Sequence, residues 1–325
     1  MISIIESLLD DIAADTAMSP ERRELLRELL ERVVMVAESD AHTKDLRVAV
    51  RAIDELLEAF TLFDKWRDRP KLTVFGSART KPGSALYEMT VEFTRAMTER
   101  GWITVSGAGP GIMEASAKGA GKEHTLGVNI ELPFEQDANA FIDVSTMLVT
   151  MRYFFTRKVA LTRPSNAFVI LPGGLGTMDE LFEVLTLLDT GKTTPAPVVL
   201  LDMPDGSFWK QWMSFIDEAV VSNDYVGTKD MCLVQLATSV TETIDEIEHF
   251  YSNYRNFAIE GERGQLSLHR PPTPDQLADL KATVPMFDEG LGYRLDDDQT
   301  LSFSFDGRNF VSLRLVINEV NNWPN

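Results

Sequence analysis

The segment that most constrains the fold joins an apolar run, a glycine-rich turn and an amphipathic run without a break. Residues 167–171 are apolar, and residues 180–188 have helical spacing. The turn between them reads Pro-Gly-Gly-Leu-Gly-Thr-Met-Asp-Glu and spans residues 172–180. A strand, a glycine turn and a helix start bring main-chain N–H groups close to an anion, and the helix dipole adds positive potential there. The segment therefore predicts a phosphate site within an α/β fold.

The residue types within this turn predict different roles. Gly173, Gly174 and Gly176 would let the backbone approach a phosphate, and Thr177 would add a hydroxyl donor. Glu180 would lie about one turn into the helix, where its negative charge is unsuited to phosphate binding. A carboxylate beside a phosphate cradle favours chemistry next to the phosphate over simple anion storage.

A purely structural interpretation of the turn stays open, because many strand–turn–helix connections hold no ligand. Two better-known phosphate motifs do not match. The segment is not a P-loop, since no Gly-Lys-Ser/Thr follows it. Its Gly-Gly-x-Gly spacing also differs from the dinucleotide fingerprint Gly-x-Gly-x-x-Gly.

The charge balance restricts the class of ligand. The chain carries 50 acidic and 31 basic side chains in 325 residues, which gives a net charge of −19. So acidic a surface disfavours long nucleic acids and anionic membranes as partners, because both are negatively charged. A small anion held by local dipoles is still compatible with this composition.

Cysteine, histidine and hydropathy patterns restrict the remaining classes. Cys232 is the only cysteine, which excludes an intrachain disulfide and suits a reducing compartment. The histidines have no zinc-type spacing. No apolar run approaches the ~20 residues of a membrane span, and the acidic start of the chain lacks the basic residues of a signal peptide. We expect a cytoplasmic protein with no metal and no organic cofactor.

The hydrophobic patterns divide the chain into three regions. Residues 1–68 are predicted to be helical, with Ser19 as a helix cap and Pro20 at the first helical position. We interpret this region as a lid or an oligomer arm, and nothing in it looks catalytic. Residues 69–258 alternate strands with helices, which predicts a doubly wound, Rossmann-like parallel sheet. Residues 259–325 are predicted to form a small α+β extension.

Glycine-bearing turns follow three of the predicted strands in the middle region. They are Gly76-Ser77, residues 106–111 and residues 173–177. The carboxyl ends of parallel strands share one edge of a sheet, so these turns would converge there near the switch point. The predicted phosphate- or nucleotide-binding set therefore also includes Ser77, Gly107, Gly109 and Gly111.

Charged residues near these turns supply further candidates. Arg157 and Lys158 lie on a predicted helix, where basic residues are usually only solvated. Arg157 precedes the unit that ends in the phosphate loop, however, so its planar guanidinium could reach a phosphate or a base edge. Glu114 lies just inside the helix after Gly111. It either makes a favourable contact with the helix dipole or binds a ribose or a water.

The last region has weaker signals. Residues 269–274 read as a linker, and residues 276–282 as a short helix. Residues 300–305 and 309–316 alternate apolar and polar side chains around Asp306-Gly307, which predicts a β-hairpin. A regulatory, a dimerisation and a packing role all remain open for this extension.

Taken together, these motifs resemble the LOG family of nucleoside 5′-monophosphate phosphoribohydrolases, formerly labelled lysine decarboxylase-like. The family pattern Pro-Gly-Gly-x-Gly-Thr-x-x-Glu stands at residues 172–180, and its upstream Arg-Lys pair is Arg157-Lys158. Segments 106–114 and 127–136 resemble the longer bacterial form of the family. The resemblance implies a Rossmann-like fold and hydrolysis of the N-glycosidic bond of AMP, GMP or a similar nucleotide, giving free base and ribose 5-phosphate.

The resemblance also implies roles for individual residues. Glu180 would stabilise the ribosyl cation and activate water, and Arg157 would bind the base or its leaving nitrogen. Lys158 and Asn129 join the predicted nucleotide-binding set. The family's short plant enzymes carry Met-His-Glu before the Arg-Lys pair, whereas this chain has Phe-Phe-Thr at residues 154–156. The difference predicts another base pocket, so a preference for cytokinin nucleotides does not follow.

Family members look like dimers built on the helix after the phosphate loop, so we expect a homo-oligomer. That helix carries an apolar stripe, which could pack against a second copy or on its own sheet. The stripe consists of Leu181, Phe182, Leu185 and Leu188.

Two other functions are compatible with parts of the pattern. A non-catalytic carrier of a nucleotide or a pterin cofactor could use the same fold, but it would have no reason to keep the Arg157–Glu180 pair. Lysine decarboxylation would require a Schiff-base lysine and a pyridoxal cofactor. Lys158 is the only lysine close to the motifs, and nothing around it indicates such a pocket.

Overall fold

The computed structural model describes residues 2–15, 18–133, 137–284, 294–297, 299–305 and 307–324. Two parts of the sequence predictions therefore lie outside the described residues: positions 134–136 of segment 127–136, and Asp306 of the predicted hairpin. By their internal contacts, the residues form two units, Met1–Asp54 and Glu55–Asn325. Among the described residues, every helix is too short or too polar to cross a bilayer.

The first unit is helical, as predicted. It contains α1 (Ile2–Asp15), α2 (Pro20–Glu38) and the start of α3 (Thr43–Asp64). The Ser19 side chain accepts a hydrogen bond of 3.2 Å from the Arg22 N–H, which confirms the predicted cap at the start of α2. Ion pairs from Arg23 to Glu6 and Asp10, of 2.7 and 2.8 Å, connect α2 to α1.

The main sheet of the second unit is parallel throughout, which confirms the predicted doubly wound fold. Within the described residues it has seven strands in the order β4-β3-β2-β1-β5-β6-β7. These strands are β1 (Lys71–Phe75), β2 (Ile103–Ser106), β3 (Thr125–Ile130), β4 (Leu148–Met151), β5 (Ala167–Ile170), β6 (Val198–Leu201) and β7 (Val234–Ala237). The helices that alternate with them are α4 (Ala85–Glu99), α5 (Ile112–Ala120), α6 (Phe154–Thr162), α7 (Leu175–Asp189), α8 (Phe208–Phe215) and α9 (Val240–Phe250).

The strand order places a switch point between β1 and β5. From β1 the chain moves outward through β2, β3 and β4, and it then returns to β5 on the other side of β1. Helices cover both faces of the sheet, so the central strands are buried along their whole length and rich in Val, Ile and Leu. The crevice beyond the carboxyl ends of β1 and β5 is where such a fold binds ligands.

A second, antiparallel sheet follows the first. It begins at Tyr254, whereas the sequence divided the regions at residue 258, within the first strand of this sheet. Its strands pair in the order β10-β11-β9-β8. The elements of this part are β8 (Tyr254–Glu260), β9 (Arg263–Leu268), α10 (Pro274–Thr283), β10 (Arg294–Asp297), β11 (Thr300–Ser304) and α11 (Phe310–Asn322).

The predicted hairpin at residues 300–305 and 309–316 is wrong in its second half. Residues 300–304 form a strand, but it pairs with β9 and β10, and residues 310–322 form α11. The Asn309 side chain caps this helix by accepting from the Ser312 N–H at 3.0 Å. Helical spacing buries a stripe on one face of α11, and this burial outweighs the local alternation. The stripe consists of Phe310, Leu313, Val316, Ile317 and Val320.

Candidate active site

The three glycine-bearing turns converge at the carboxyl edge of the main sheet, as the sequence predicts. The loop after β1 is bound to both of the others through Ser77. Its N–H donates to the carbonyl of Pro172 at 3.2 Å, and its carbonyl accepts from the Ile112 N–H at 3.1 Å. Gly111 has φ +71°, and a Cβ there would lie 2.3 Å from the Ser77 carbonyl oxygen. Glycine is therefore required at position 111 for these loops to meet.

A cleft of about 850 Å³ opens between these turns at the switch point. It is lined mainly by loop backbone from the ends of β1 and β5 and by two charged side chains of the following helices. The predicted site residues that line it are Ser77, Gly107, Arg157, Gly173, Gly174, Gly176, Thr177 and Glu180. The cleft is thus the place where most of the predicted set comes together.

The start of α7 forms one wall of the cleft. Gly174 is the N-cap, and the N–H groups of the first turn have no partner within the helix. A Cβ at Gly174 or Gly176 would meet no protein atom within 4 Å, so packing does not explain these glycines. Gly173 is different, because a Cβ there would lie 2.1 Å from the Thr177 Oγ1. Open space in front of unpaired N–H groups at a helix start suits a phosphate.

Arg157 and Glu180 face each other at the inner end of the cleft. The Arg157 Nη1 lies 3.7 Å from the Glu180 Oε1, and the side chains are only 11% and 17% exposed. Two carbonyls orient the guanidinium: Nε donates to Val128 at 3.0 Å and Nη2 to Gly107 at 3.4 Å. A Cβ at Gly107 would lie 2.0 Å from Nη2. Gly107 therefore contributes by making room for Arg157.

The surroundings of Glu180 shift its protonation into the neutral range. Burial raises the pKa of Glu180 from 4.5 to about 7, although the positive charge of Arg157 opposes the change. Burial likewise lowers the pKa of Arg157, and Glu180 opposes that shift. A carboxyl group with a pKa near the working pH can take up and release a proton during a reaction.

Lys158 does not line the cleft. Its Nζ lies 2.8 Å from the Asp179 Oδ1 and 2.5 Å from the Glu183 Oε2, so it joins α6 to α7 beside the Arg157–Glu180 pair. Burial favours the neutral amine, but the hydrogen bonds to these two carboxylates outweigh it and raise the pKa of Lys158. Lys158 is therefore a protonated, ion-paired lysine.

Four other predicted residues lie outside the lining of the cleft. Glu114 accepts a hydrogen bond of 2.7 Å from the Tyr87 hydroxyl, and the Gly109 carbonyl accepts one of 3.1 Å from the Asn139 Nδ2. Asn129 is a buried residue of β3, next to the carbonyl of Val128 that orients Arg157. Gly111 acts through the packing of the loops described above.

The structure adds lining residues that sequence reasoning missed. Arg79 is an exposed cation on the loop after β1, and its N–H donates to the Ser77 Oγ at 3.1 Å in a tight turn. Met113 lines the cleft from the first turn of α5. Arg79 and Met113 each come just after a predicted glycine turn, Gly76-Ser77 or Gly111. This position is the sequence signal that could have identified them. The described residues hold no cluster of three or more His, Cys, Asp or Glu side chains arranged for a metal ion.

The segment that matches a known family model lies within the second unit. The model of a family described as possible lysine decarboxylase matches residues 112–247. A solved structure of the molybdenum cofactor binding protein from Rippkaea orientalis is similar to 55% of this chain and 96% of its own, with 21% identity and a TM-score of 0.40. The molybdenum cofactor carrier protein of Chlamydomonas reinhardtii gives 23% identity and a TM-score of 0.38, with coverage of 55% and 96%.

Two curated plant proteins match over more than two thirds of their own length. The rice (Oryza sativa subsp. japonica) cytokinin riboside 5′-monophosphate phosphoribohydrolase LOG is 31% identical over 184 residues, which are 55% of this chain and 72% of the rice protein. The chain belongs to the LOG family. The Arabidopsis thaliana cytokinin riboside 5′-monophosphate phosphoribohydrolase LOG2 is 27% identical over 192 residues, which are 58% of this LOG-family chain and 86% of that protein.

The segment matched by the family model and the cleft overlap only in part. Arg157, Glu180 and the start of α7 fall within residues 112–247, whereas Ser77 and Arg79 precede that segment. In this LOG-family chain, the loop after β1 therefore adds a basic side chain to a cleft whose remaining charged groups lie on α6 and α7.

Proposed function

We propose that this LOG-family protein hydrolyses the N-glycosidic bond of nucleoside 5′-monophosphates and releases a free base and ribose 5-phosphate. The observation that carries the proposal is the buried Arg157–Glu180 pair, 3.7 Å apart, beside a helix start suited to phosphate. The names of the curated relatives, which are phosphoribohydrolases of riboside 5′-monophosphates, support the same reaction class.

The 5′-phosphate is expected to bind at the start of α7. Gly174, Gly176 and Thr177 line the cleft at the start of α7, and the helix dipole favours negative charge there. Arg79 and Ser77 on the neighbouring loop can contribute a charge and a hydroxyl donor. Binding the phosphate at this point would fix the distance between the ribose and Glu180, which lies further along the same helix.

Bond cleavage would then depend on the Glu180 carboxylate. The bond between C1′ and the base nitrogen breaks, its electron pair leaves with the base, and the ribose acquires oxocarbenium character. The carboxylate stabilises this positive charge and accepts a proton from the water whose oxygen bonds to C1′. Arg157 donates a hydrogen bond to the base or its leaving nitrogen, which offsets the negative charge that develops there. The base is released in its neutral form once it takes up the proton that Glu180 received from the water.

The residues just before Arg157 are the ones that bear on which base is preferred. Phe154 and Phe155 are 56% and 52% exposed at the start of α6, where the short plant enzymes of the family carry a methionine and a histidine. We propose that ordinary purine or pyrimidine nucleotides, such as AMP or GMP, are the substrates. Among the residues that line the cleft, none indicates a preference for the bulkier base of a cytokinin nucleotide.

Lysine decarboxylation, the reaction in the description of the matching family, is not supported by the geometry. A Schiff base requires a neutral lysine amine within a cofactor pocket. Lys158 is held by Asp179 and Glu183, its pKa is raised by their hydrogen bonds despite its burial, and it does not line the cleft.

The test is a panel of mononucleotides. The purified protein is incubated with AMP, GMP, CMP, UMP and an N6-prenylated AMP, and the released base and ribose 5-phosphate are separated by chromatography. Adenosine and guanosine serve as controls without a phosphate, and we expect them to react far more slowly. Nucleotide binding without any released base would overturn the hydrolase and support a carrier on the same fold.

We also propose that the protein forms a homo-oligomer through the exposed side of α7. Leu181 and Leu188 are buried in the chain's own core, whereas Phe182 is 44% exposed. Light scattering after gel filtration would measure the molar mass of the wild type and of Phe182→Glu. An unchanged oligomer in the variant would exclude this surface.

A further inference from the structure

Glu55 is a buried carboxylate in the part of α3 that belongs to the second unit. It is 8% exposed, and it accepts from one group of the turn between β4 and α6 and from one group in the first turn of α6. The Arg152 N–H donates to Oε1 at 2.9 Å, and the Thr156 hydroxyl donates to Oε2. Glu55 therefore links α3 to the start of α6, although the residues that it contacts are about a hundred positions away in the sequence.

These contacts lie at the start of α6. Tyr153 is the N-cap, but its side chain forms no capping hydrogen bond. The Tyr153 carbonyl also lies 2.9 Å from the Thr156 Oγ1, so the single hydroxyl proton is shared between this carbonyl and Glu55. The first helical hydrogen bond of α6, of 3.1 Å, runs from the Arg157 N–H to the same carbonyl. A negative charge near a helix N-terminus is also favoured by the helix dipole. Glu55 thus stabilises the start of α6 from α3, through the N–H that precedes the N-cap and the Thr156 hydroxyl.

Arg157 is the next residue along α6 after Thr156. From this first turn, its guanidinium extends to the carbonyls of Val128 and Gly107 and to Glu180. Val128 lies in β3, where it pairs with β4, and Gly107 follows directly after β2. A displacement of the turn would therefore move Arg157 relative to partners that do not move with it.

We infer that Glu55 is a positioning residue for the proposed reaction, because it holds the first turn of α6 so that Arg157 meets Glu180. The inference rests on the proposed function for its catalytic consequence. It also assigns a role to the helical region before the main sheet, in which the sequence showed no catalytic feature.

The inference makes a specific claim about Glu180. Burial raises the pKa of Glu180, Arg157 and Lys158 lower it, and Asp179 and Glu183 raise it. If the turn shifts and Arg157 moves away, the largest opposing charge is lost and the pKa of Glu180 must rise further. The acid limb of the rate profile would then move to higher pH, which a general loss of stability would not cause.

The experiment compares Glu55→Ala, Glu55→Gln and Thr156→Val with the wild type and with Glu58→Gln. Glu58 is an exposed carboxylate on the same helix and serves as the matched control. For Glu55→Ala we expect kcat to fall by about 10²-fold, since a misplacement of about 1 Å can cost that much. KM should change little because the phosphate is held by α7, and the acid limb should shift upward. Glu55→Gln keeps one acceptor oxygen and should lie between Ala and the wild type.

Several outcomes would overturn the inference. A folded Glu55→Ala with the wild-type kcat and acid limb excludes a positioning role. A lower kcat with an unmoved acid limb assigns Glu55 to stability alone. If Glu55→Ala does not fold, Glu55→Gln and Thr156→Val carry the same comparison.

A failure of the proposed function is recognised separately. A wild type that releases no base from any nucleotide overturns the proposed reaction. The effect on Glu180 can still be measured in the ligand-free protein, by NMR titration of 13C-labelled glutamate with Glu180→Gln used to assign the signal. An unchanged Glu180 titration in Glu55→Gln and Thr156→Val would overturn the inference by itself.

Discussion

Two buried arginine–glutamate pairs in this molecule have similar electrostatics and different surroundings. Arg314 on α11 lies 3.6 Å from Glu246 on α9, and burial lowers the pKa of Arg314 and raises that of Glu246. The same directions hold for Arg157 and Glu180. Arg314, however, lies over the Phe250 ring at 4.7 Å and donates to the Ala196 carbonyl and to Asn318.

The difference between the pairs shows what identifies a site. Arg157 and Glu180 line a cleft bounded by glycine turns and the start of α7, whereas Arg314 joins α11 to the main domain. Perturbed pKa values occur in both places, because burial of charge causes them in structural and functional pairs alike. Of the two pairs, only Arg157–Glu180 lies next to open space and to the unpaired N–H groups at the start of a helix. The following predictions test this contrast.

The largest effect is expected when the carboxylate of the cleft is removed. Glu180→Ala should lower kcat for the best nucleotide by about 10²–10⁴-fold, the usual loss for a positioned acid–base group. Nucleotide binding should be largely kept, because the phosphate is held elsewhere on α7. Steady-state kinetics and calorimetric titration with the mononucleotide measure the two quantities. Wild-type turnover in this variant would exclude Glu180 as the acid–base group of the reaction.

Removal of the arginine of the other pair should affect stability instead. Arg314→Met leaves Glu246 without its partner and the Ala196 carbonyl without its donor, so the free energy of unfolding should fall by roughly 3 kcal/mol. Denaturant titration gives this value, and kcat below the unfolding transition should stay within about twofold of the wild type. A large loss of kcat in the folded variant would mean that the two pairs are not separate in function.

The pH dependence of stability and activity tests the raised pKa of Glu180 in the cleft. Glu180 has its pKa raised from 4.5 to about 7 in the folded protein, so its contribution to stability is full below pH 4.5 and is lost as the pH rises through about 7. The wild type should therefore lose stability relative to Glu180→Gln over this window, by no more than about 3 kcal/mol. Activity should rise over the same window, since the carboxylate form is required. Unfolding curves of both proteins at pH 4.5 and 8 make the comparison, and parallel behaviour would contradict the raised pKa.

The smallest effect is expected at a glycine of the cleft. Gly176→Ala places a methyl group in open space in the first turn of α7, so the fold should be unchanged or more stable by up to about 1 kcal/mol. The methyl group would stand where the phosphate is expected, and KM for the nucleotide should rise. Gly261→Ala, at an exposed turn with φ +62°, is a control for glycine removal that should leave KM unchanged. An unaltered KM in Gly176→Ala would move the phosphate away from this turn.

The parallel sheet and the cleft could be predicted because their signals are local in sequence. Each strand is a short apolar run, and each turn follows directly from its strand, so topology alone brings Ser77, Gly107 and Gly174 to one edge. Helix geometry explains why Lys158 behaves differently from Arg157. Consecutive helical residues point about 100° apart, so Arg157 faces Glu180 while Lys158 faces Asp179 and Glu183.

The remaining features depend on contacts that the sequence does not show. Glu55 meets the turn before α6 across a long sequence separation, and neither partner has a motif. The segment that became α11 alternates locally, yet its apolar residues also fit helical spacing, and only the packing of Phe310 and Leu313 in the second core decides between the two. The strands β8 and β9 were missed because their apolar residues are few and separated by polar or charged ones.

The two backbone bonds of Ser77 have a mechanical consequence. Because the N–H and the carbonyl of this one residue are bound to the loops on either side, no single loop can move outward without breaking a main-chain hydrogen bond. The floor of the cleft is therefore held by main-chain hydrogen bonds, whereas the exposed side chains at its rim are not held in this way. Leu175, which is 90% exposed at the mouth, and the exposed Arg79 are the groups free to rotate aside.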